Sequence, residues 1–377
     1  MKGDYTMKKK TMTKIVSLLI AAVMVFALFG CGSSSSSTSS TSSTSSSTAS
    51  SASTSSSGTK QLNVFLDLSC GGLGDKGFND LTFEGLKKAG TDLNIKYDYA
   101  EPKSYSECEA YVMDAASSKE YDLIIGIGYD NYSAVDAASQ AYPDQKFVLL
   151  QSALDRANVS CIKESLDQMG YLTGIYVGEM MSKDLLPGIE GNRSVGFIIG
   201  VDTDEGRTEL YGFKAGIYDV CKDQVSVQYT EVGAWNDSAT GKELALSLHE
   251  KGCGIVWHYA GTSGLGIFEA ANEVDGLYVI GSSGNQNSLN SKVLCSTMDC
   301  MDNQVFNCIK DFQAGKFEAG TKYLGFSDDA IRLEFDGSSV TLPADIKTEL
   351  ASVQKKLSAG EIVPPDTEDE YNKYIAK

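Results

Sequence analysis

Two histidines in 377 residues set a low ceiling on general acid–base chemistry. His249 falls in the helical pattern "KELALSLHEKG" and reads as a solvated helix residue. His258 ends the apolar stretch "GIVWHYAG", where a place in the core and a place on a cleft wall are both open to it. Neither has a cysteine or carboxylate placed to make it a metal ligand or a base, and there is no G-x-S-x-G, no P-loop and no H-E-x-x-H. The glycine fragments in "GIGYD" and "GTSGLG" are too little for a dinucleotide site. The acids of "DTDEG" (202–206) lack the other ligands of a calcium loop and read as a solvated turn. The chain is not expected to be an enzyme, nor to hold a metal or cofactor.

What remains is recognition chemistry. The stretch "GGLGDKGFND" (71–80) puts one large aromatic, Phe78, into a polar, glycine-rich turn that has no use for it. Either the ring plugs back into a core or something outside lies on it. Similar polar loops are "GYDNYS" with Tyr129, "GAWNDSATGK" with Trp235, "HYAGTSGLG" with Gly261, and "GSSGNQNSLN" with Ser283 and Asn285.

These loops recur because the elements between them do. "QLNVFLDL" reads as a strand, "DLTFEGLKKAG" as a helix stopped by Gly90, "YSECEAYVMDAASS" as a helix, and "YDLIIGIG" as a fully buried parallel strand. The alternation runs on through "SVGFIIG", "VSVQYTEV", "GIVWHYAG" and "LYVIGSS", which gives an α/β chain of parallel strands with helices on both faces. Some ten strands are too many for one sheet, so two lobes are expected. In such sheets ligands bind outside the carboxyl ends of the strands, where the polar loops fall. The tail, "TKYLGFSDDAIRLEFDG" and "ADIKTELASVQKKLSAG", reads as a hairpin or short strands and then a closing helix.

The first 31 residues are read separately. A lysine-rich start and an apolar run from Ile15 to Phe29 have the form of an export signal, and "LFGC" resembles a lipobox with Cys31 as the acylated residue. An uncleaved anchor is the competing reading. Residues 32–60 are nearly all Ser and Thr, which cannot bury enough apolar area to offset chain entropy and so make a flexible tether. The formal charge of -18 argues against a nucleic-acid groove. Of nine cysteines, eight remain beyond Cys31, without a C-x-x-C pair; buried thiols and disulfides are both open.

Taken in order from about residue 61 to 315, "DKGFND", "IIGIGY", "YPDQKFVLL", "MGYLTG", "YGFKAG", "WNDSATGKELA", "AGTSGLGIFEAA" and "VLCSTMDCMD" resemble the basic membrane protein family. These are lipoprotein solute-binding receptors of ABC importers, best known for purine nucleosides. The resemblance implies the type I periplasmic-binding fold, two doubly wound parallel-sheet lobes joined by a three-crossing hinge. It places lobe 1 at roughly 61–165 plus 284–325 and lobe 2 at roughly 166–283 plus 326–377. It also implies an ABC permease and ATPase as partners, a cell-membrane location on the extracytoplasmic face, and a planar base held between Phe78 and Trp235. Asp75 and Asn79 would meet the edge of that base. The departures are Ser283 and Asn285, where family members tend to carry acids in "VIGVDxDQ", and Asp299, where they often carry a lysine. A base, or a nucleoside held differently at the sugar, is therefore the expected ligand, with a flavin-like or sugar-like compound, or a sensing role without transport, as alternatives.

If Cys31 is the anchor, Cys31→Ser should leave the precursor uncleaved by lipoprotein signal peptidase and free of labelled fatty acid. Wild-type protein that incorporates no label would contradict the anchor.

Overall fold

The computed structural model describes residues 61–377; the expected signal segment, Cys31 and the Ser/Thr run at 32–60 lie outside them. The chain opens with β1 (Asn63–Asp67), α1 (Phe78–Asp92), β2 (Lys96–Ala100), α2 (Tyr105–Ser118), β3 (Leu123–Ile127), α3 (Tyr132–Ala141), β4 (Phe147–Leu150) and β5 (Val159–Glu164). It continues through α4 (Leu166–Ser182), β6 (Ser194–Ile199), α5 (Asp204–Cys221), β7 (Ser226–Glu231), α6 (Ser238–Glu250), β8 (Ile255–Tyr259), α7 (Leu265–Glu273), β9 (Tyr278–Gly281) and β10 (Val293–Met298). It closes with α8 (Met301–Gln313), β11 (Gly320–Leu324), β12 (Arg332–Glu334), α9 (Ala344–Ser358) and α10 (Glu368–Ile375).

Two six-stranded sheets result, in the orders β11-β5-β4-β3-β1-β2 and β12-β10-β9-β8-β6-β7. Every pair is parallel except β12, which runs antiparallel to β10. All five residues of β3, "LIIGI", are buried, as a strand covered on both faces requires. The two tail strands that could have formed a hairpin are split between the sheets.

The chain passes between the sheets three times: at Ser165 after β5, at Asp299 and Cys300 after β10, and over residues 325–331 between β11 and β12. The expected switch at 284 is thus misplaced. Residues 284–298 stay with the second lobe because β10 pairs with β9 there, and α8 then packs beside α1 in the first. Two local expectations also change. Helix α1 runs past Gly90, its last turn closed by Leu93 N–H on Ala89 O (3.0 Å), and Gly90 is where Tyr97 lies close, its Cε1 2.5 Å from where a Cβ would stand. The acids at 202–206 are a helix start, not a solvated turn: Thr203 caps α5 through Gly206 N–H (3.2 Å), and Glu205 is buried.

The second lobe is held by an unusually close helix pair. A Cβ at Gly170 or Gly174 of α4 would stand 2.1 and 2.3 Å from the carbonyl oxygens of Glu209 and Phe213 on α5. Only glycine allows that approach, so α4, the first element after the hinge, is fixed to its lobe. Among the described residues all eight cysteines are free thiols, and no helix is long and apolar enough to cross a membrane.

Candidate functional site

The carboxyl ends of both sheets meet at one cleft enclosing about 620 Å³ of atom-free space, its mouth included. The loop after β1 supplies Ser69, Gly71, Asp75, Gly77, Phe78 and Asn79; the loops after β3 and β4 add Gly128, Tyr129, Asp130 and Gln151. From the other lobe come Thr203, Glu205, Trp235, Tyr259, Ala260, Gly261, Ser282, Ser283 and Gln286.

Phe78 is the first residue of α1, half-buried against the apolar cluster of the first sheet while its ring lines the cleft. Asp75 holds it there. Its carboxylate accepts from the backbone N–H groups of Gly77 (2.9 Å), Asn79 (2.8 Å) and Asp80 (3.2 Å), and from Asn79 Nδ2 (3.0 Å). Burial pushes the Asp75 carboxyl up, and these donors oppose the rise. Asn79 in turn accepts Ser69 N–H (2.9 Å) through Oδ1. The expectation that Asp75 and Asn79 present free polar edges to a ligand is corrected here: both line the cleft, but their polar atoms build the start of α1.

Trp235 faces the cleft from the second lobe. Its ring lies on Gly200, where a Cβ would stand 2.4 Å from Cε3, and meets Tyr259 edge-on at 5.9 Å. Its indole N–H reaches across to Asp130 Oδ1 (3.1 Å). Gly261, at φ 52°, brings the following turn under Trp235, whose carbonyl accepts Ser263 N–H (3.0 Å). Further bonds between the lobes run from Thr262 Oγ1 to Gly71 O (2.9 Å), from Gln286 Nε2 to Asp75 O (3.3 Å), and from Tyr259 OH to Gln151 Oε1 (3.2 Å). Tyr129 stands at the mouth, 48% exposed, with Tyr105 edge-on at 6.4 Å.

The remaining predicted residues divide. Ser283 lines the cleft in the left-handed region (φ 61°), as does Gln151 (φ 58°), and both conformations are uncommon for residues other than glycine. Asn285 turns away: its amide donates to Asp336 O (3.1 Å) and its Oδ1 accepts Asn287 N–H (3.1 Å). Asp299 lies outside the lining residues, buried on the second crossing and accepting from Gln151 Nε2 (3.2 Å). His258 is buried, its Nε2 3.2 Å from Gln286 Oε1, and burial lowers its pKa to about 4. It does not line the cleft.

Sequence reasoning missed Asp130, Gln151, Thr203, Glu205, Tyr259 and Gln286. Asp130 had a signal, since it follows Tyr129 in a loop already singled out. The acids have a further pattern. Glu164 and Glu209, 5% and 1% exposed, stand with Asp299 and Glu205 near the crossings, and both Glu164 oxygens and Glu209 Oε2 are buried without a hydrogen-bond partner. Burial, with Asp299 adding to it and Gln304 opposing, pushes Glu164 up to about 8; burial and then Asp299 raise Glu209 as well.

A family model described as ABC transporter substrate-binding protein, PnrA-like, matches residues 64–367. The chain belongs to this family. A CD4+ T-cell-stimulating antigen of Listeria monocytogenes is 28% identical over 385 residues, covering 96% of this chain and 99% of that one. An ABC transporter nucleoside-binding protein of Lactococcus lactis is 27% identical over 318 residues, with 78% and 86% covered. A solute-binding protein of an ABC transporter system from Aeropyrum pernix shares the fold at TM-score 0.73 and 22% identity, over 83% of this chain and 96% of that one. The family and the fold are those of solute-binding receptors: two parallel-sheet α/β lobes with the cleft between them.

The Glu164 shift fixes a sign for stability. A carboxyl whose folded pKa is raised stabilises the fold while protonated, and that contribution is lost as pH rises from about 4.5 through about 8. In denaturant melts at pH 5 and pH 9, Glu164→Gln should lose less stability on going to pH 9 than wild type, by a margin on the order of 1–4 kcal/mol. Equal losses would show that Glu164 does not titrate in this range.

Proposed function

We propose that the protein is the extracytoplasmic, lipid-anchored receptor of an ABC importer that captures a planar, purine-like ligand, a nucleobase or nucleoside, between its lobes. Family membership supports the receptor role and the transporter partners. The observation that carries the ligand class is that one cleft takes Phe78 from the first lobe and Trp235 from the second. Each ring enters through a polar loop, and each is held by a carboxylate, Asp75 for the loop of Phe78 and Asp130 for the indole of Trp235. A flat heterocycle between two such faces touches both lobes at once, so its binding favours the closed arrangement. The cleft provides shape, stacking and hydrogen bonding. The receptor releases its ligand to the permease chemically unchanged.

Stacking a base on an aromatic contributes about 1–3 kcal/mol, or roughly five- to a hundredfold in Kd. Calorimetry with adenine, guanine, hypoxanthine, xanthine and their nucleosides on wild type, Phe78→Ala and Trp235→Ala should show losses of that size for either ring. Full affinity in both variants, or no binding of any purine by wild type, would contradict this reading.

A further inference from the structure

Resting on the proposed ligand class, one property of the cleft narrows it. The lining contains three carboxylates, Asp75, Asp130 and Glu205, and no lysine, arginine or histidine. Asp75 and Asp130 are surrounded by hydrogen-bond donors. Glu205, on the side of the cleft toward the hinge, has one described ion pair, with Lys163 Nζ at 3.1 Å.

Behind Glu205 the imbalance grows. Glu209 lies one helical turn further along α5, Glu164 ends β5, and Asp299 follows β10. All four acids lie close enough to Tyr259, which lines the cleft, to add to the rise that burial causes in its phenol. An ionised carboxylate out of water needs donors or a counter-charge. Here both oxygens of Glu164 and one of Glu209 lack a hydrogen-bond partner within 3.5 Å, each on a residue more than nine-tenths buried. The uncharged neighbours are shared with Asp299: Gln304 Nε2 donates to Asp299 O (2.6 Å) and Gln151 Nε2 to Asp299 Oδ2 (3.2 Å). Among the described residues no three acids, histidines or cysteines are grouped to hold a metal ion. Of this group, Glu205 and Tyr259 are the members that line the cleft itself.

We propose that the hinge-side wall of the cleft, centred on Glu205 and Tyr259 and backed by Glu164, Glu209 and Asp299, is a subsite for an organic cation. The ligand group it takes is an ammonium, an amidinium or a positively charged ring nitrogen of the stacked heterocycle. The same wall repels anionic relatives such as nucleotides.

Two pairs of probes differ in charge on one ring: 1-methyladenosine, cationic at neutral pH, against adenosine, and 1-methylnicotinamide, cationic at every pH, against nicotinamide. In calorimetry at pH 7.5 at least one cation should bind about tenfold or more tightly than its neutral partner, and AMP should bind at least tenfold more weakly than adenosine. Affinity for 1-methylnicotinamide should rise from pH 5 to pH 8, with protons released on binding, because Glu164, Glu209 and Asp299, whose carboxyls burial pushes up, must ionise to face the cation. The other titratable groups facing them are Lys163, ion-paired with Glu205, and Tyr259, whose phenol burial pushes up and so keeps protonated over this range. Glu205→Gln should cut the cation-over-neutral ratio at least fivefold; should that variant fail to fold, Glu209→Gln should cut it in the same direction.

If neither cation surpasses its neutral partner, or if the ratio is untouched by both glutamine variants, the subsite is wrong. If 1-methylnicotinamide binds preferentially while no purine binds, the cation subsite stands and the purine reading falls.

Discussion

Asp130 is 3% exposed, and a carboxylate so buried is tolerated only where donors replace the water it has lost. Three do so. Ser69 Oγ (2.8 Å) and Cys70 N–H (2.7 Å) tie the loop after β1 to the loop after β3, and Trp235 Nε1 (3.1 Å) reaches in from the other lobe. The position of Trp235 is therefore tied to a buried carboxyl on the opposite lobe. Opening the lobes removes one donor from a buried carboxyl and draws Trp235 away from the first lobe at the same time.

Rigidity and freedom are distributed accordingly. Each parallel sheet is buried by helices, and α4 is pressed onto α5 at Gly170 and Gly174, so the lobes can move as bodies. The three crossings are short, and two of them carry or adjoin buried acids: Glu164 precedes Ser165, and Asp299 lies on the second crossing. Burial raises Asp299 to about 6 and Glu164 to about 8, so the charge state of the hinge region changes within the range of ordinary environments.

Local sequence carried much of this, because strand and helix periods are local. The run "LIIGI", and "VGFII" after Ser194, are apolar throughout since both faces are covered, and the glycine-rich loops fall where parallel strands end. Phe78 and Trp235 stood out because large aromatics in polar loops are conspicuous. What failed was what depends on partners distant in sequence. Nothing near residue 284 reveals that β10 will pair with β9, and nothing in "GDKGFND" tells a ligand-facing Asp75 from one bound to its own helix start. Glu205 looked solvated in "DTDEG" because its burial comes from Lys163 and the hinge, over forty residues and a whole lobe away. Asn285 looked available until its bond to Asp336 placed it.

The chain has two tryptophans, and one of them, Trp257, is fully buried against Phe197 and Phe213. In a Trp257→Phe variant of residues 61–377, emission excited at the red edge of tryptophan absorption reports on Trp235 alone. Titration with adenosine or guanosine should quench that emission and shift it to the blue, with the midpoint found by calorimetry, as the ring stacks and leaves water. Binding detected by calorimetry with Trp235 emission unchanged would contradict the claim that the ligand is held between the two lobes on this ring.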